Sequence, residues 1–125
     1  MEADDPINVL GEELESCGGE PLTGFFRDSF CNTCDEDRGS HTVCVQVSQE
    51  FLEFSRFRGN DLMTPAPQYN FPGLQPGDSW CLCASRWLEA YENGMAPKVY
   101  LLRTHQRALE MVPFEKLREH AADLN

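Results

Sequence analysis

Cys31, Cys34, His41 and Cys44 fall within one short stretch of the chain, and they are the residues best suited to carry chemistry. A thiol with an imidazole is the minimum for nucleophilic catalysis, because the ring can take the proton that the sulfur must lose. In this reading Cys31, or Cys44 in its place, supplies the thiol with His41 for thiol or acid/base chemistry, and Asp28 is the carboxylate grouped with them. The same residues offer a second chemistry. Three thiols and one imidazole suit a tetrahedral zinc site at Cys31, Cys34, His41 and Cys44. A strand through 41–47 argues against it, since alternation would send His41 and Cys44 to opposite faces. Cys31 and Cys34 alone have the spacing of a redox dithiol, but Asp35, Glu36 and Asp37 follow directly and disfavour a thiolate there.

A second set could bind a ligand. Arg27 and Arg86 present planar donor forks that suit an anion. Asn60 and Asp61 sit at the mouth of a long loop, and Trp80 offers an aromatic face. We expect Arg27, Asp28, Cys31, His41, Asn60, Asp61 and Trp80 to line one pocket for a small molecule, with residues 60–78 as its wall or lid.

Positioning these residues requires a scaffold. The strongest helical spacing is Trp80, Ala84, Trp87, Leu88 and Tyr91, one face of a helix opened by Asp78 or Ser79 and ended at Asn93-Gly94. On that helix Cys81 and Cys83 lie about 200° apart and read as small apolar fillers. A thiol at Cys81, in the first turn, would be the functional exception. His41–Val47 is rich in β-branched residues and reads as a strand. Ser48 then caps a helix that buries Phe51, Leu52 and Phe54 and closes at Gly59. Thr23–Asp28 is a short extended candidate and Lys98–Leu102 a second strand. Thr104 starts a helix running to Met111, and Pro113 opens the last one. The fold class is α+β: a small sheet covered by about four helices, with a long Pro-rich loop at 60–78. Residues 1–125 form one domain, with 1–22 as an irregular arm tacked on by Ile7, Val9, Leu10 and Leu14.

Charge excludes some functions. The net charge of −11 repels phosphate backbones, so no nucleic-acid partner is expected. No apolar run approaches the roughly twenty residues that span a bilayer, so no membrane partner is expected either. The acidic start lacks the apolar stretch of a signal peptide, which implies a cytoplasmic protein whose six cysteines are mostly free thiols.

The motifs Pro21–Asp28, Cys31-Asn32-Thr33, Gly39–Cys44, Arg58–Leu62, Phe71–Leu74, Gly77–Ala84 and Arg86-Trp87 together resemble a bacterial family catalogued as domain of unknown function 2237. The resemblance runs from about residue 8 to 121 and implies a small stand-alone cytosolic protein with no established activity. Cys34 departs from the family's pattern, which counts against both the zinc and the dithiol readings. Function is therefore an expectation built on the residues. The leading reading is a small-molecule-binding protein or enzyme. Its rivals are a non-catalytic interaction module, with the aromatic loop as a docking surface and a homodimer expected, and a zinc-stabilised domain.

Overall fold

The computed structural model describes residues 2–123. Its centre is a three-stranded antiparallel sheet in the order β2-β1-β3. Strand β1 is His41–Gln46, β2 is Ser79–Cys83 and β3 is Lys98–Val99. Three α-helices pack around it: α1 (Gln49–Phe57), α2 (Ala84–Glu92) and α3 (Phe114–Glu119). Short 3₁₀ turns occupy Pro67–Tyr69, Leu101–Arg103 and Gln106–Glu110. The α+β class is as expected; the helix count is lower because the segment after Thr104 forms a 3₁₀ turn. His105, not Thr104, accepts from the first free N–H there.

β1 and α1 follow their local chemistry. Val43 and Val45 are fully buried, as are Thr42 and Cys44 on the opposite alternation, so β1 is covered on both sides. Ser48 accepts from the Phe51 N–H at 3.1 Å and sets the start of α1, which buries Phe51 and Leu52. Gly59 then takes φ +95°, a conformation that ends the helix without strain.

The main departure lies at 79–83. These residues form a strand, and the helix begins only at Ala84. Trp80, Cys81 and Leu82 are all buried. A strand buried on both faces loses its polar alternation, and its apolar run then merges with the helical pattern that follows. α2 buries Ala84, Trp87 and Ala90, and ends at Asn93-Gly94 as its sequence suggests. The extended candidate at 23–28 is instead a knot of turns, with Gly24, Arg27 and Ser29 at positive φ.

Four cysteines are paired. Cys17 bonds Cys44 and Cys31 bonds Cys81, with Cα separations of 5.7 and 5.3 Å. This corrects the expectation of mostly free thiols. Cys44 and Cys81 are register partners on β1 and β2, so the two bridges pack side by side. One ties the N-terminal arm to β1; the other ties the 23–31 turns to β2. Cys34 and Cys83 remain free. Among the described residues, no helix is long and apolar enough to cross a membrane.

Candidate functional site

The site forms where β2 turns into α2. Cys83 is the last residue of β2 and the N-cap of α2. Across the sheet its register partner is His41, the first residue of β1. A bulge follows at once, with two residues of β1 opposite one of β2 between His41 and Val43. Such a bulge re-aims side chains at a sheet edge. The Ser40 carbonyl accepts from Thr42 N–H at 2.8 Å and from Ala84 N–H at 2.9 Å. One carbonyl thus pins both the bulge and the first residue of α2, and holds the sulfur and the ring together.

Asp37 completes the arrangement. Its side chain is fully buried, and its Oδ1 accepts from His41 Nδ1 at 2.7 Å. The other carboxylate oxygen accepts from Thr33 Oγ1 and from the His41 backbone N–H, both at 2.9 Å. With Nδ1 committed to Asp37, Nε2 is the ring nitrogen left free. The His41 pKa is pushed up to about 9, chiefly by the Cys83 sulfur beside its ring; Asp37 adds to the rise, and burial opposes it. Gly39 makes the packing possible. A Cβ there would lie 2.9 Å from His41 Cε1 and 3.2 Å from Cys83 Sγ.

The Cys83–His41 pair opens onto a cavity of about 240 Å³, smaller than the ~300–1,000 Å³ typical of drug-sized ligands. Arg27, Asn60 and Trp80 also line it. Trp80 meets the Phe71 ring at 5.2 Å, tilted by 58°, and the Arg27 guanidinium lies over its ring at 5.4 Å. Two further cavities of about 180 and 130 Å³ share Arg27 and continue past Trp80 towards Tyr69 and Phe71.

Four of the residues expected in the pocket therefore come together: Arg27, His41, Asn60 and Trp80. The others do not line it. Asp28 Oδ1 accepts from Phe30 N–H and caps a turn. Asp61 accepts from Met63 N–H, Thr64 N–H and Thr64 Oγ1, which also lowers its pKa. Arg86 reaches the Arg58 carbonyl and Glu89 on the outer side of α2. Cys31 is fully buried and bonded to Cys81, so it offers no thiol. The zinc set is not assembled, because Cys31 and Cys44 are consumed by different bridges. Of the sulfurs that do crowd together, those of Cys17, Cys31 and Cys81 lie within 4.8 Å of one another, and all three belong to bridges.

Sequence reasoning passed over Cys83, Asp37 and Gly39. Asp37 stands four residues before His41, close enough for a turn to bring them together. Cys83 became visible as His41's neighbour only once β2 was a strand. No curated protein matches the chain. Residues 7–121 match the profile described as an uncharacterized protein conserved in bacteria (DUF2237), and the chain belongs to that family.

Proposed function

We propose that the protein is a cysteine-dependent enzyme that transfers or hydrolyses the acyl group of a small substrate. The observation that carries this reading is the run Asp37–His41–Cys83 opening onto a partly open cavity lined by both polar and apolar side chains. A cationic imidazole beside a sulfur is the arrangement that activates cysteine nucleophiles. The start of α2 adds to it, since its first turn lacks a side-chain cap and places the positive end of the helix dipole at Cys83.

The steps follow from the geometry. The Cys83 sulfur attacks the substrate carbonyl and a C–S bond forms. The carbonyl electron pair moves to oxygen, and the oxyanion is met by N–H groups of the first turn of α2 and by the Asn60 amide, which lines the cavity. The intermediate collapses, the leaving group departs, and His41 Nε2 gives it a proton. Water then loses a proton to His41 and releases the acid from the sulfur. Asp37 positions the ring throughout and touches no substrate. Residues 60–78 supply one wall through Leu62 and Phe71.

The bridges bear on the compartment. All four bonded sulfur residues are 0–1% exposed, beyond easy reach of a reductant. Two structural bridges fit an oxidising compartment better than a reducing cytoplasm.

The test is a burst assay with p-nitrophenyl acetate. The reading expects one equivalent of nitrophenolate and an acetyl group on Cys83 by peptide mass, both abolished by Cys83→Ala. An unmodified Cys83, with turnover unchanged in that variant, would rule it out.

A further inference from the structure

The charges around the cavity are the reverse of those on the chain. The protein carries 21 acidic and 10 basic residues. Yet the three cavities that share Arg27 have no Asp or Glu among their lining residues. The ionisable side chains in the cavity beside Cys83 are Arg27, His41 and the thiol itself. The carboxylates nearby are engaged elsewhere. Asp28 caps the Phe30 N–H, Asp61 is wrapped by Thr64 and Met63, and Asp37 is buried beneath His41. Arg27 makes no ion pair among the described residues, whereas Arg107 meets Asp4, Asp35 and Glu110.

Arg27 is also placed with care. Its backbone is in the left-handed region at φ 55°, uncommon for a side chain of this size, and the turn is closed by its N–H to the Gly24 carbonyl at 3.0 Å. The Cys31–Cys81 bridge and the Thr23 hydroxyl, which accepts from Cys81 N–H at 2.8 Å, fasten these turns to β2. With its guanidinium over the Trp80 ring, the edge of the fork is left to bind.

We propose that the cavity takes small acyl compounds bearing a carboxylate, with Arg27 holding the carboxylate in a bidentate grip while the reacting carbon faces Cys83. This rests on the Cys83 reading above and names its substrate class. A carboxylate there replaces the acidic partner that Arg27 lacks, and the chain's overall charge would repel it everywhere else. The cavity volume, about eight water molecules' worth, limits the ligand to a small molecule, with the aromatic cavity past Trp80 available to an apolar tail.

Parallel alkylation with iodoacetate and iodoacetamide tests this, since the reagents differ by a carboxylate against an amide. In both, the Cys83 sulfur displaces iodide and forms one C–S bond. The readout is the ratio of the two rates at Cys83, followed by peptide mass and compared with glutathione under the same conditions. The wild-type ratio should exceed that of glutathione by about threefold to fivefold, the scale of one exposed charged contact. Arg27→Gln should bring it down to the glutathione value, and Arg27→Lys should restore part of it. Arg103→Gln removes the same charge from a residue stacked on Tyr100 and should leave the ratio at the wild-type value. A wild-type ratio no higher than glutathione's, or one that Arg27→Gln leaves in place, overturns the carboxylate site while Cys83 still reacts fast with iodoacetamide. Slow reaction with both reagents instead overturns the nucleophile, and this proposal with it.

Discussion

His41 and Cys83 are partners across β1 and β2, one at the start of its strand and the other at the residue where its strand becomes a helix. Neither position is free to drift. Asp37 holds the ring from behind, and Ser40 ties the bulge to the first residue of α2. The rest of the fold serves this junction: the bridges fasten the arm and the Arg27 turns to the same two strands.

The pairing predicts the titration of His41. In wild type its ring should titrate near 9 by NMR. Cys83→Ala removes the largest cause of the rise and should bring the value down markedly. Asp37→Asn should lower it less. An unshifted titration near 6.5 in wild type would mean that the sulfur and the ring do not interact.

That raised pKa also shapes stability. The folded state holds the His41 proton more tightly than the unfolded chain does, so its contribution is complete below about pH 6.5 and disappears as pH rises through about 9. Chemical denaturation across this window should show stability falling, and Cys83→Ala should flatten the fall. A His41 contribution that grew with pH would have the wrong sign.

Gly39→Ala separates the site from the fold. The position has no left-handed backbone, so alanine brings no strain of that kind. Its methyl would press on the His41 ring, and the ring is easier to displace than the sheet. Alkylation of Cys83 should slow by about tenfold, the scale of one pKa unit lost from the thiolate when the cationic ring moves away, with circular dichroism unchanged. Loss of the fold, or an unaltered rate, would contradict this placement.

The bridges predict a thiol count. Denatured, unreduced protein should show two reactive thiols, Cys34 and Cys83, and six after reduction. Removing either bridge by paired Cys→Ala changes should cost about 3–4 kcal/mol on chain-entropy grounds, the larger loss falling on Cys31–Cys81 with its separation of 50 residues. A count of six without reductant would show that the bridges do not form.

Where local chemistry decides structure, the sequence was readable. Ser48 before Phe51, the β-branched run at 42–47 and Gly94 after α2 each carry their own reason. Arg27, His41, Asn60 and Trp80 could be grouped because turn-borne polar residues tend to line pockets, though nothing in the sequence measured their separation. β2 was hidden because burial on both faces erases alternation, and Trp80 and Ala84 happen to sit one helical turn apart. With β2 read as helix, Cys83 lay on the wrong element to meet His41, and Cys31 took its place as nucleophile. The bridges were equally out of reach, since pairing depends on three-dimensional proximity that residue spacing does not encode.

The central claim, that Cys83 is an activated nucleophile, is tested most directly by its rate of reaction with iodoacetamide in the native protein at neutral pH, located by peptide mass. The account predicts that Cys83 is modified first, about tenfold or more faster than glutathione, and that His41→Ala removes the advantage. Modification of Cys83 no faster than glutathione, or equally fast without His41, would contradict it.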